Sequence, residues 1–155
     1  MSDTKPQPKQ PPGPPDTSVR LKKAGLTATH PRRLILELLQ RNLDVHFSAE
    51  EVYRRLLDAG ESVGIASVYR VLNQFESAGL VSRHQFDGTT SYFELNLGKH
   101  HDHLICTECG NILEFVDEEI EELQRKVAER LGFEIDNHAL YLFGRCNNPK
   151  CRHRE

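Results

Sequence analysis

The sequence predicts an α+β fold, with a winged helix-turn-helix first and a small α/β unit after it. Three observations carry that prediction. Helical periodicity recurs in four short blocks between Ser18 and Gly79. Two strand-like runs then flank Asp87-Gly88, a hairpin signal. Beyond them the chain changes character: all 4 cysteines and a dense histidine cluster fall in the second half.

Each element has a local reason. "SVRLKKAGL" reads as a short helix stopped by Gly25. "THPRRLILELLQR" places Thr29 at the N-cap and Pro31 in the first turn, where its missing N–H does no harm. Leu34, Ile35, Leu38 and Leu39 then share one face. "SAEEVYRRLLDAG" opens on a capping box of Ser48 and Glu51 and closes at Gly60. "ASVYRVLNQFESAG" turns Val68, Val71, Leu72 and Phe75 inward and ends at Gly79. "LVSRHQF" and "SYFEL" form the two arms around "DGTT". In the second half, "HLIC" and "ILEF" are short strands around a C-x-x-C turn, and "DEEIEELQRKVAERLG" is an amphipathic helix with Ile120, Leu123, Val127 and Leu131 on one face. "FEIDNHALYLF" is expected to be a strand leading to the last cysteine pair. A β-α-β unit of this size buries too little to stand alone, so it needs a partner chain, a metal, or both.

The chain of 155 residues suits one ordinary domain or two small ones. Three segments are expected: a proline-rich tail over 1–17, holding six of the 8 prolines, a winged helix over 18–95, and a metal-binding unit over 96–155. The tail reads as disordered or polyproline-like, either a docking peptide or a solubilising extension. No run approaches the roughly 20 apolar residues needed to span a bilayer, and the N-terminus lacks the apolar core of a secretory signal, so the expected compartment is cytoplasmic. The formal charge of −3 gives no bulk attraction for nucleic acid. A near-neutral first half must therefore place its arginines well if it binds DNA.

Cys106 and Cys109 form C-x2-C, Cys146 and Cys151 form C-x4-C, and Gly110 follows the first pair. A tight turn there lets backbone N–H groups donate to thiolate sulfur. Four thiolates make a closed, structural zinc site. Disulfides, a redox C-x-x-C or an iron–sulfur cluster are the competing readings. Just ahead, in "KHHDHLIC", an extended backbone would turn His101 and His103 to one face and His100 and Asp102 to the other. One strand would then feed two metal sites with nitrogen and oxygen donors. The alternative is a solvated polar strand or a weak adventitious site.

Over about residues 18–151, the segments "LKKAGLTATHPRRLILELLQ", "SAEEVYRRL", "ASVYRVLNQFESAGLVSRHQFDG", "SYFEL", "HHDHLICTECG" and "NHALYLFGRC" with the final Cys151 resemble the ferric uptake regulator family closely. The resemblance implies a dimeric, metal-dependent transcription regulator whose α/β unit is the dimerisation domain. It implies a structural Zn²⁺ on Cys106, Cys109, Cys146 and Cys151. It implies a regulatory site of His46, Glu94, His101, His103 and Glu114, and an additional metal site of His100, Asp102, Glu121 and His138. The regulatory donors suit Fe²⁺, replaceable in vitro by Mn²⁺, Co²⁺ or Zn²⁺. All cysteines are already assigned, and Glu94 and Glu114 stand where peroxide-sensing relatives tend to have aspartates. The expected function is therefore an Fe²⁺-responsive DNA-binding regulator, mainly a repressor of iron-uptake genes. A zinc-, manganese- or peroxide-responsive regulator of the same family and a zinc-stabilised protein-interaction module are the alternatives. No H-E-x-x-H or deaminase-type H-x-E signature is present, so no enzyme is expected.

The expected partners are double-stranded operator DNA and a second copy of the chain, as a dimer or a tetramer, with no membrane and no small organic ligand. On the recognition helix, Ser67, Tyr69, Arg70 and Asn73 face outward. Arg70 can bond guanine O6 and N7, and Tyr69 can pack on a thymine methyl. Arg20, Lys22, Lys23, Arg32 and Arg33 are the phosphate-binding candidates. Relatives often carry a basic residue where this chain has Thr27 and Ala28. The regulatory ion is expected to fix a hinge near residues 95–99 and thereby the spacing of the recognition helices in the dimer.

Overall fold

The computed structural model describes residues 16–147. The proline-rich stretch up to Pro15 and Cys151 lie outside the described residues. The chain divides into two compact units, one running to His84 and including Ser91–Asn96, the other comprising Gln85–Thr90 and everything from Leu97 onward.

In the first unit the helices are α1 (Thr17–Lys23), α2 (His30–Gln40), α3 (Ala49–Asp58) and α4 (Ile65–Ser77). The strands are β1 (Phe47–Ser48), β2 (Val81–His84) and β3 (Tyr92–Leu95). Asp16 caps α1 by accepting from the Ser18 N–H at 2.9 Å, so the helix starts at Thr17, one residue before its expected Ser18. Thr29 occupies the N-cap of α2, yet its hydroxyl makes no cap bond; Pro31 lies in the first turn as expected. Ser48 accepts from the Glu51 N–H at 3.2 Å, one arm of the capping box, while the Glu51 carboxylate lies 3.6 Å from Arg55. Gly79 closes α4 at φ 74, a left-handed conformation that a Cβ would strain.

The inward faces expected from periodicity converge here. Leu21, Ile35, Leu39, Val68, Leu72 and Phe75 are buried in a single core with Phe47 and Phe93. Each such side chain contributes about 1.5–3 kcal/mol of burial. The three strands order as β1-β3-β2, all antiparallel, with Phe47 opposite Phe93 and His84 opposite Tyr92. Strand β1 is not foreseen by sequence pattern, because two residues carry no periodicity. The wing arms are also shorter than "LVSRHQF" and "SYFEL". Asp87 accepts from the Thr89 and Thr90 N–H groups at 2.9 and 2.7 Å, and this turn takes over before the ladder reaches the hairpin tip.

The second unit holds β4 (Asp102–Cys106), β5 (Ile112–Phe115), α5 (Glu118–Leu131) and β6 (Tyr141–Gly144). The sheet orders as β5-β4-β6, with β4–β5 antiparallel and β4–β6 parallel. Asp117 caps α5 through the Glu119 and Ile120 N–H groups, and Gly132 ends it at φ 79. The expected strand over "FEIDNHALYLF" is corrected to Tyr141–Gly144 alone. Its first half has no sheet partner: the Phe133 N–H closes the helix by donating to Ala128, and pairing with β4 begins only at His103–Tyr141. Helix α5 has no buried residue; Leu123, Val127 and Leu131 are 60%, 42% and 65% exposed. The sheet adds Leu104, Leu113 and Leu142, adjacent across the ladder and also exposed. Such an apolar surface is unusual on a monomer.

Candidate metal centres and nucleic-acid interface

In the first unit the β1–β3–β2 order puts Glu94 on the central strand. Continuing the Phe47–Phe93 register by one residue sets His46 opposite Glu94, and His46 Nε2 lies 2.8 Å from Glu94 Oε2. His84, diagonal to Glu94 across the β2–β3 ladder, approaches the other oxygen: Nε2 to Oε1 is 2.7 Å. His46 and Glu94 are only 8% and 5% exposed, so the pair is buried. By alternation His46 and Glu94 lie on the face of the sheet opposite Phe47 and Phe93, and they are buried there against each other. His84 is not among the residues expected from sequence; its signal is the hairpin register.

In the second unit β4 sends alternate side chains to two places. The His101 and His103 rings lie 4.9 Å apart, and His101 Nε2 is 3.7 Å from Glu114 on β5. The opposite side gathers His100, Asp102, Glu121 and His138, whose potential ligand atoms all lie within 4.8 Å of one another. Asp102 is 0% exposed, and neither carboxylate oxygen has a hydrogen-bond partner, although His100 Nε2 and His138 Nε2 stand 3.2 and 3.8 Å from Oδ1. A buried carboxylate left in this state is costly unless a cation compensates it. The mixed imidazole and carboxylate set fits a borderline divalent metal.

Cys106, Cys109 and Cys146 offer sulfurs within 4.8 Å of one another, and Cys109 Sγ to Cys146 Sγ is 3.5 Å. The backbone N–H groups of Cys109 and then Cys146 bring the Cys106 thiol from an ordinary 9.0 down to about 6. Gly110, at φ 69, belongs to the turn that aims the Cys109 N–H, while the Cys146 N–H arrives from beyond β6 at 3.3 Å. The donor chemistry fits zinc.

On α4, Tyr69, Arg70 and Asn73 are exposed and Ser67 is half-buried. Each is held by a neighbour. The Tyr69 hydroxyl donates to Glu50 on α3, Arg70 Nη2 donates to Ser67 at 3.2 Å, and Arg83 on β2 donates to Asn73. The bond from Tyr69 lowers the Glu50 carboxyl and raises the Tyr69 phenol. Arg83 also lies 3.0 Å from Glu76 and 5.1 Å above the Phe93 ring. Among the expected phosphate contacts, Lys22, Lys23 and Arg33 are exposed. Arg32 is instead committed to Gln74 and the Thr27 carbonyl, and Arg20 to the Asn96 carbonyl, with burial holding the Arg20 guanidinium below its usual range. In this conformation those bonds tie α2 to α4 and α1 to the chain just after β3.

A winged helix carried with cysteine and histidine–carboxylate clusters defines a metal-responsive DNA-binding regulator. The family model described as Ferric uptake regulator family matches residues 23–143. The chain belongs to the ferric uptake regulator family. It is 53% identical over 140 residues to the ferric uptake regulation protein of Escherichia coli K12, covering 90% of this chain and 95% of that one. It is similar to the crystal structure of the Vibrio cholerae ferric uptake regulator, described as revealing rearrangement of the DNA-binding domains, with TM-score 0.78 and 51% identity over 84% of this chain and 100% of that chain. It is also similar to the Francisella tularensis ferric uptake regulator solved with iron, with TM-score 0.76 and 44% identity over 79% and 93% of the two chains. Among the described residues no helix is long and apolar enough to cross a membrane.

Proposed function

We propose that this chain is an Fe²⁺-responsive repressor of iron-uptake genes, acting as a homodimer on operator DNA, with a winged-helix domain over 18–95 and a dimerisation domain over 96–155. The observation that carries the reading is Glu94, a carboxylate 5% exposed and flanked by imidazoles inside the DNA-binding unit. A stable core has little use for a buried carboxylate, and a metal-responsive regulator needs a donor in that half.

His46 and Glu94 are proposed to share one regulatory ion with His101, His103 and Glu114. The support is donor chemistry and the family resemblance: each group alone is an incomplete ligand set. When bound, Fe²⁺ would supply a positive charge that offsets the clustered carboxylates. The chain's own contribution is then orientation, because ligands drawn from both units constrain residues 95–99 between them. That constraint sets the spacing of the two α4 helices in a dimer, which must match the major-groove repeat. Residues Cys106, Cys109, Cys146 and Cys151 are proposed to hold structural zinc, and His100, Asp102, Glu121 and His138 to hold a further ion. The exposed apolar faces of α5 and the second sheet support pairing with a second copy.

The test is fluorescence anisotropy on labelled operator DNA at fixed salt. Chelation should abolish binding, and anaerobic Fe²⁺ should restore it. Undiminished binding after the regulatory metal has been stripped would reject the metal-responsive reading, and no operator binding with or without Fe²⁺ would favour a zinc-stabilised interaction module.

A further inference from the structure

We infer that His84 is a positioning residue that sets how Glu94 presents its carboxylate to a metal ion. The inference rests on the reading of Glu94 as a ligand. The geometry is specific to the sheet order. Glu94 on the central strand meets His46 from one neighbour, through Oε2 at 2.8 Å, and His84 from the other, through Oε1 at 2.7 Å. An ionised carboxylate only accepts hydrogen bonds, so the His84 nitrogen facing it carries the hydrogen.

The two contacts differ in what a cation would do to them. His46 and Oε2 cannot both turn lone pairs to one ion while a hydrogen lies between them, so that contact is the one an ion replaces. The His84 bond engages the other oxygen and can persist. It leaves Oε2 as a single-oxygen ligand and keeps the carboxylate from rotating or chelating through both oxygens. His84 is itself well fixed, with a side chain 13% exposed and a ring standing edge-on to His46 at a centroid distance of 6.2 Å. Partners of this kind commonly change metal affinity by about 10–100-fold when removed.

The experiment compares wild type, His84→Leu, His84→Gln and His46→Ala in full-length, zinc-loaded protein. All four, including the otherwise unchanged reference called wild type in this comparison, carry His138→Ala, which weakens the other nitrogen–oxygen site. Co²⁺ is the probe, read by direct titration and by its visible absorption bands. His84→Leu keeps the volume and removes the donor; it should weaken Co²⁺ binding about 10–100-fold and shift the bands as the carboxylate changes its mode. His84→Gln can present an N–H at a similar reach and should recover most of the affinity and the original bands. Should His84→Leu fail to fold, His84→Ala takes its place. If His84→Leu binds as wild type while His46→Ala is impaired, the positioning role is wrong and the ligand reading stands. If His84→Gln is as impaired as His84→Leu, a donor to Oε1 is not what matters, and the inference again fails. If His46→Ala also binds as wild type, the ligand reading itself is wrong.

Discussion

Arg70 and Lys22 are both exposed cations of the first unit, but they differ in what surrounds them. Arg70 is steered by Ser67 on the outer face of α4, whereas Lys22 projects from a short helix and is held by no hydrogen bond or ion pair among the described residues. Arg70→Ala should therefore cost about 1–3 kcal/mol at one base position and relax specificity there. Lys22→Ala should weaken all sequences alike and flatten the salt dependence. Competition binding across single-base operator variants separates the two, and uniform losses for both would mean α4 is not the reading helix. Asp87 allows a pH prediction. Its carboxyl, held by the Thr90 and Thr89 N–H groups, is lowered from 3.8 to about 2. A depressed carboxyl stabilises the fold above its unfolded value and loses that contribution as pH falls through the folded one. The stability difference between wild type and Asp87→Asn should thus be full above pH 4 and vanish toward pH 2, as followed by thermal melts. A difference that grows on acidification would contradict the turn's role. At this scale the outward face of α4 is legible from periodicity. The side chains that hold it, Glu50 and Arg83, are not, because they arrive from other elements through tertiary approach.

Helix α5 and the CxxC turn carry the next predictions. Leu123→Glu, on a face already 60% exposed at that residue, should leave the monomer fold intact and weaken self-association, as measured by sedimentation. An unchanged dimer would place the interface elsewhere. Cys106→Ser should lose tightly held zinc and destabilise the second unit, since metal-binding energy in such a site is part of the folding energy. Retained zinc stoichiometry and an unchanged melt would count against the thiolate site. The elements themselves are largely readable: all five helices and the hairpin arms follow from periodicity, caps and glycine stops. The failures share one cause. Phe133–Ala139 looks β-like by composition but joins no strand ladder, while Phe47–Ser48 is too short to look like anything and becomes a strand because β3 lies beside it. Strand pairing is non-local, and local pattern cannot report it.

For the whole molecule the claim is that one ion joins donors from both halves of the chain. The split of His100 and Asp102 from His101 and His103 is visible in the sequence, because alternation along one strand is a local property. The burial of His46 against Glu94 is not, since it depends on β1 reaching β3, and His84 is hidden for the same reason. The direct measurement is a metal titration of operator binding for wild type, His46→Ala and His138→Ala at fixed pH and salt. His46→Ala should keep its fold, dimer and structural zinc, yet require a markedly higher Fe²⁺ or Mn²⁺ concentration to bind operator. His138→Ala, in the other cluster, should shift the curve less. A His46→Ala curve that overlays wild type would contradict the shared ion and the hinge-locking mechanism with it.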